Sequence, residues 1–443
     1  MQVGGSRLKR YELLTMTLEE RKMIMRRSSR DVFDDALFRS VEGLINDVRQ
    51  NGDAALVRAT AQFDGIQLQN SDLKVRPEEF EAAERQLSPA VLDAIDEAID
   101  HVRRFNQHIV DRTSWQAELA PGIFVGEQAS PIDRVGLYVP CRKGSFPSVM
   151  IHLGTPAVTA GVPDIAVVLP PLPGGGGIVD PAVLAVAGRL GISEVYRCNG
   201  VAGIAALALG TETIRPVRRI DGPGSPGVTA AQLAVQRFGV AVGLLYGPSE
   251  AVILADGSAD PDLLAADLLN DAEHGSDSAA LLLTDRPELI DAVARCVASR
   301  LPALPDVRRG YAEAAISQYG GAILVHDLDS AIDFINEYAP EHLQLAVASP
   351  ESFATRIRNA GEILLGQGTP FAAANFSVGV PNTLPTGGFA HLSSAVTAHT
   401  YLKRSSIARL DAAALAALRP GVRALAEHEG FPAHAAAMGA EGR

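Results

Sequence analysis

The sequence is short of the features that staple, anchor or electrostatically tether a protein. Its three cysteines, Cys141, Cys198 and Cys296, are odd in number and far apart, with no C-x-x-C spacing. That excludes a disulfide framework or thiolate metal knot and fits a reducing compartment. Positive charge is also scarce. The 39 Lys and Arg against 52 Asp and Glu leave a net charge of −13, whereas a nucleic-acid partner favours a basic face. No uninterrupted apolar stretch is long enough to cross a bilayer. The opening MQVGGSRLKRYELLTMTLEERKM has basic residues without the apolar core of a signal peptide. The expectation is a soluble cytoplasmic protein with neither a nucleic-acid nor a membrane partner.

What is present is a globular balance, 47% hydrophobic and 21% charged, in 443 residues with room for two or three domains. The first third has helical periodicity. LFRSVEGLINDVRQNGDAALVRATAQFD breaks at NGD, and PEEFEAAERQLSPAVLDAIDEAIDHVRRFNQHI is an amphipathic pair interrupted near Ser88-Pro89. From DRVGLYVP (133–140) the texture changes. IAVVLPP, EVYRCNG and GVAVGLLYGPSE read as buried strands, with helices near 181–190, 201–208 and 228–237. A second set follows: AVILAD, AALLLT, AILVHD, LQLAVA and EILLG. Such alternation predicts parallel sheets. The fold class expected is α/β: two Rossmann-like lobes with a cleft between them, a helical N-terminal segment and a helical C-terminal tail.

Four stretches carry candidate chemistry. Gly174–Gly177 stand between a strand and a helix, where backbone N–H groups can approach a phosphate, but Val179 replaces the third glycine of GxGxxG. A surface loop accounts for that stretch more simply. DGPGSPGVTAAQ (221–232) is a Gly-Pro turn feeding a helix whose first turn suits an anion, although turn chemistry alone explains its glycines. In NEYAPEHLQL, Pro340 ends a helix and leaves Glu341 and His342 on the approach to a strand. A carboxylate beside an imidazole supplies general acid–base chemistry, or else a polar lead-in to the strand. In LLNDAEHGSDS, Asp271 and His274 are three apart, on one helical face. That is half of a zinc site, or a solvated helix end.

Read together, VGLYVP, GPG, YGPSE, DLLNDAEHGSDS, NEYAPEHL, LPTGG and YLKRSSI resemble the histidinol dehydrogenase family, in family order, from NDVRQNGDAALVRATAQFD to the tail EGFPAH. The resemblance implies oxidation of a primary alcohol through an aldehyde to a carboxylate, with two NAD per turnover and a bound zinc or other divalent ion. It also implies a homodimer whose C-terminal tail completes the partner's site. On it, His342 is the base for the alcohol proton and also touches substrate, and Glu341 activates water. Ser249 and Glu429 touch substrate, Tyr138 contacts NAD, and His274 and His434 bind metal.

This sequence departs from the family at several of these points. The family's Gln, His, Asp, His metal set reads here as Asp271, His274, Asn375 and His434, a swap that retains one carboxylate. Ser225 stands for the Asn after GPG on the NAD side, Ala202 for the Gln of GGAQA, and Asn382 for the His of NHVLPT. Cys141 and Arg142 replace the glycines of YxPGG, so Arg142 and Lys143 put two cations on the loop after strand 133–140. They suit an anionic group on the substrate, or are solvated surface charges. The reading is a dehydrogenase for a small polar alcohol, anionic rather than histidinol. Histidinol oxidation itself and a non-catalytic ligand-binding homologue are the alternatives. The expected division is 1–31 as a helical segment, 32–137 with 249–393 as the catalytic lobe, 138–248 as the NAD lobe, and 394–443 as the tail.

Overall fold

The computed structural model describes residues 8–27, 34–141, 144–243 and 247–439, so Arg142 and Lys143 lie outside the described residues. The chain begins with β1 (Arg10–Glu12), α1 (Leu18–Arg26), α2 (Asp35–Asp64), α3 (Pro77–Glu84), α4 (Pro89–Thr113), β2 (Trp115–Ala120) and β3 (Ile123–Pro131). Helix starts are chemically marked. Thr17 and Glu20 form a capping box on α1, Asp34 accepts two N–H groups at the head of α2, and Ser88 caps α4 ahead of Pro89.

The next unit runs β4 (Val135–Tyr138), α5 (Pro147–Thr159), β5 (Ile165–Leu169), α6 (Pro181–Arg189), β6 (Glu194–Arg197), α7 (Gly200–Leu209), β7 (Arg219–Asp221), α8 (Pro226–Val235) and β8 (Ala241–Val242). Its five strands are parallel in the order β6-β5-β4-β7-β8. The order reverses between β4 and β7, and a crevice opens at the carboxyl ends of strands at such a point.

A second unit repeats the wiring. It runs β9 (Glu250–Ala255), α9 (Pro261–Ala272), β10 (Ala279–Thr284), α10 (Pro287–Arg300), α11 (Asp306–Ala314), β11 (Gly321–Leu324), α12 (Leu328–Tyr338), β12 (His342–Ala346), α13 (Pro350–Ala354) and β13 (Glu362–Leu365). The sheet order is β1-β11-β10-β9-β12-β13, all parallel. β9 and β10 are buried along their whole length, which explains their unbroken apolar runs. Then come α14 (Phe371–Phe376), α15 (Ala398–Tyr401), β14 (Leu402–Leu410), α16 (Ala412–His428) and α17 (Pro432–Ala437).

The two Rossmann-like lobes agree with the alternating pattern, but the flanking segments differ from it. The N-terminal segment is not purely helical, because β1 extends the second sheet at its β11 edge. The sequence pattern groups 32–137 with 249–393. In the structure α2 packs on α7 and α8, α3 on α6 and α4 on α5, all in the other lobe. Their apolar stripes, such as Val41, Ile45 and Val48 of α2, cover a sheet that needs both faces buried. The tail is not all helical either, since β14 pairs antiparallel with β3 and β3 with β2. β14 alternates no apolar residues and is exposed on both faces, so periodicity gave no strand signal. No helix among the described residues is long and apolar enough to cross a membrane.

Candidate active site

The amino ends of β9, β12 and β13 gather a cluster of buried ionisable groups. α12 stops because Ala339 takes a left-handed conformation, φ +49°, and Pro340 follows. That sharp exit delivers Glu341 and His342, 7% and 4% exposed, to the head of β12. In the parallel register His342 stands opposite Glu362, and its Nδ1 bonds Glu362 Oε1 at 2.5 Å. The other ring nitrogen, Nε2, lies 3.7 Å from Glu341 Oε1. Glu341 Oε2 accepts the backbone N–H of Glu250 at 2.9 Å. Ser249, half-buried, is the residue before Glu250 on the same edge.

Charge sets the proton affinities here. Burial raises Glu341, partly offset by His342, and the carboxyl is pushed up to about 8. Burial works against the His342 imidazolium, but the carboxylates of Glu341, Glu362 and Asp271 outweigh it and push the ring up to about 10.

Of the four residues expected to hold metal, Asp271 and His274 lie near one another. Asp271, near the end of α9, is fully buried, and neither carboxylate oxygen has a hydrogen-bond partner. An isolated buried carboxylate is costly unless a cation or donor meets it. His274 follows with its Nδ1 3.9 Å from Asp271 Oδ1, and α14, bearing Asn375, packs against α9. Asp271 shares this region with the buried carboxyls of Glu250, Glu341 and Glu362, while Arg27, His342 and the neighbouring His274 are groups able to carry positive charge. Glu429 and His434 are not brought there. Both are exposed on the tail, with His434 tilted against Phe431. Among the described residues no three His, Cys, Asp or Glu side chains of one chain converge as a ligand set.

The facing lobe holds a glycine-lined cradle around Tyr138, where the family resemblance puts the cofactor. Tyr138, at the carboxyl end of β4, is 5% exposed and surrounded by glycines. A Cβ on Gly222 would lie 2.1 Å from the Tyr138 carbonyl oxygen, and one on Gly200 would lie 2.7 Å from its hydroxyl. Gly222 also has φ +138°, so both conformation and space require glycine. Ser225 starts α8 beside this turn, exposed and with no side-chain bond to the helix. The cradle lies at the β4–β7 reversal and has the close backbone approach that a dinucleotide needs. Gly174–Gly177 differ. The loop is closed by the Leu172 N–H on the Ile178 carbonyl at 2.8 Å, and a Cβ on Gly174 or Gly176 would meet nothing. It is a surface turn.

The lobes approach one another at Arg308 of α11. Its Nη1 donates to the Glu273 carbonyl at 3.0 Å, and its Nη2 lies 3.4 Å from where a Gly144 Cβ would be. A cavity of about 550 Å³ also runs between them, bordered by Arg219, Gly243, Gly361 and Ser393. Sequence reasoning missed Glu250, Glu362 and Arg27. The first two had a signal, an acid heading an otherwise apolar strand. Arg27 had none.

Comparison with known proteins gives the chain's family. The family model described as histidinol dehydrogenase matches residues 26–441. The chain is 41% identical over 427 residues to a histidinol dehydrogenase of Synechocystis sp., covering 96% of this chain and 97% of that one. It is 37% identical over 425 residues to "histidinol dehydrogenase homolog 2" of Mesorhizobium japonicum, covering 96% of each. The crystal structure of histidinol dehydrogenase from Elizabethkingia anophelis superposes with a TM-score of 0.91 at 32% identity, covering 98% of both chains. The chain belongs to the histidinol dehydrogenase family, NAD-dependent oxidoreductases that act on a CH–OH group and use a zinc ion.

Proposed function

We propose that the protein oxidises a small polar primary alcohol, anionic rather than histidinol, through the aldehyde to the carboxylate. The observation that carries the reading is the buried Glu341–His342–Glu362 cluster set against the unpartnered carboxylate of Asp271. When bound, NAD accepts the hydride of each oxidation and zinc lends positive charge to the substrate's oxygen. Asp271 and His274 would hold the metal, with Asn375 from α14 and His434 from a second copy. Tyr138 and Ser225 would border the nicotinamide dinucleotide.

The protein's own groups then handle protons. Glu362 fixes Nδ1 of His342, which turns Nε2 toward the reacting centre as the acceptor for the alcohol proton. His342 must be neutral to accept it. Asp271 and His274 would hold a cation close enough to lower the raised proton affinity of His342. Glu341, 3.7 Å from that nitrogen, takes a proton from the water that adds to the aldehyde. Burial of both side chains keeps bulk water away between the two steps. Ser249 borders the same pocket, and Glu429 would enter from the tail of the second copy.

The homodimer reading is supported by the tail itself, which exposes Leu425, Phe431, Glu429 and His434 together. The anionic substrate is supported by Arg142 and Lys143. The neighbouring Gly144 lies beside Arg308, one bond from the carbonyl that precedes His274. The test is NADH formation by zinc-loaded protein with a panel of alcohols: L-histidinol, neutral diols, and sulfonated, phosphorylated and carboxylated diols. Turnover of an anionic diol is expected, with KM rising when Arg142 and Lys143 are neutralised. Turnover of histidinol alone refutes the substrate class, and no turnover with any member refutes the enzymatic reading.

A further inference from the structure

The N-terminal helix belongs to neither ligand crevice, yet the residue after it reaches the catalytic cluster. Arg27 has φ +52°, a conformation that a non-glycine residue keeps only where its surroundings hold it. Its side chain is 3% exposed, and Nη1 lies 3.2 Å from Oε2 of Glu250, also 3% exposed. Nη2 donates to the Tyr338 carbonyl, and the guanidinium lies 3.6 Å from the Tyr338 ring centroid. Glu250 in turn ties three elements together. Its carboxylate meets Arg27 and accepts the Gly387 N–H at 2.8 Å, while its backbone N–H donates to Glu341 at 2.9 Å. A Cβ on Gly388 would come within 3.3 Å of Arg27 Nη1, so the turn after Thr386 is shaped around the guanidinium.

Buried ion pairs of this kind seldom add stability over apolar replacements, so stability is a weak reason for one here. Its location is informative. The charged groups that act on Glu341 come from four elements: His342 of β12, Glu250 of β9, Asp271 of α9 and Arg27 after α1. We propose that Arg27 is a positioning residue for Glu341: by neutralising and anchoring Glu250, it fixes the N–H that holds the Glu341 carboxylate against His342. The inference rests on the reading of Glu341 as the group that activates water. It makes the N-terminal segment part of the catalytic apparatus. Without Arg27, Glu250 is an uncompensated buried anion beside Glu341.

The test uses zinc-loaded full-length protein carrying Arg27→Met, Glu250→Gln or both. With the best alcohol of the panel, Arg27→Met should lower kcat at least about tenfold while KM changes less than about threefold, the pattern of a lost transition-state interaction. The double variant should recover most of that loss, because removing both charges leaves no orphan anion. A merely structural role predicts the opposite, a double variant as impaired as the single one. A second readout needs no turnover. The ¹⁵N imidazole resonance of His342, assigned by its loss in His342→Gln, should move in Arg27→Met and return in the double variant. If the panel gives no turnover, the enzymatic reading fails and this resonance alone decides the positioning role. If Arg27→Met does not fold, Arg27→Lys replaces it, with an expected loss in kcat of about threefold or more. Unchanged kcat and an unmoved His342 resonance in a folded Arg27 variant overturn the proposal, as does failure of the double variant to recover either.

Discussion

Stripping divalent metal with a chelator should make the protein lose stability as pH rises from 7 to 9, and restoring zinc should remove most of that loss. Burial pushes the Glu341 carboxyl up to about 8, and the surrounding carboxylates outweigh burial and push the His342 ring up to about 10, against ordinary values of 4.5 and 6.5. Both are raised, so the folded state holds protons that the unfolded chain releases. The associated stability is intact below the ordinary values and is lost as pH climbs through the folded ones. The windows run from 4.5 to about 8 for Glu341 and from 6.5 to about 10 for His342. Between pH 7 and 9 Glu341 gives up its extra proton, and His342 still holds most of the proton that the unfolded chain has already lost. The two share one field and do not add fully, so the combined loss is about 2–3 kcal/mol. That corresponds to a fall in Tm of roughly 2–6 °C. On the proposed placement, zinc at Asp271 would add positive charge beside these groups and favour release of those protons, so its binding would strengthen as pH rises. Thermal melts at pH 7, 8 and 9, at fixed ionic strength and in chelator or zinc, measure both slopes. Parallel slopes in the two conditions would refute the placement of a cation in this cluster.

Three further outcomes are expected. Asp271→Gln should cut the zinc retained after purification and dialysis, measured by elemental analysis, and adding Asn375→Asp should restore it; no recovery in the double variant separates the two positions. Glu362→Gln should lower kcat by about 10–100-fold with little change in KM, the loss of one charge-assisted hydrogen bond to the base, read as NADH production. Equal kcat would free Glu362 of that role. Gly222→Ala forces a Cβ to within 2.1 Å of the Tyr138 carbonyl at φ +138°. It should weaken NAD binding in a fluorescence titration by at least about tenfold and cost about 1–3 kcal/mol of stability. Wild-type affinity would place the dinucleotide elsewhere.

Much of the fold was legible because parallel strands buried on both faces are written as unbroken apolar runs, as in AVILAD and AALLLT. What was not legible depends on partners distant in sequence. α2 to α4 show an apolar stripe but not which sheet will receive it. β14 is exposed on both faces and carries no alternation to read. At the site, Glu341 and His342 were visible because Pro340 marks a break just before them. Their orienting partner Glu362 is set by strand register, which no local pattern encodes. Asp271 was legible as a half-site only. Its significance comes from complete burial without a donor, and that is a property of the folded chain.

Apart from the added edge strand β1, the two sheets share one strand order yet present opposite edges to the chemistry, and this has an electrical consequence. In the Tyr138 lobe the groups at the carboxyl edge of the sheet include the start of α8 at Pro226, so free backbone N–H groups and the positive end of a peptide-dipole array border the cradle. In the other lobe the working edge is the amino edge, where α9 ends at Ala272 and α12 at Tyr338, presenting carbonyls and a negative end. The cleft is therefore polarised by its backbone before any side chain is chosen. One wall suits the phosphates of a dinucleotide and the other suits a metal cation and an imidazolium. The lobes cannot exchange roles, although they are built on the same plan.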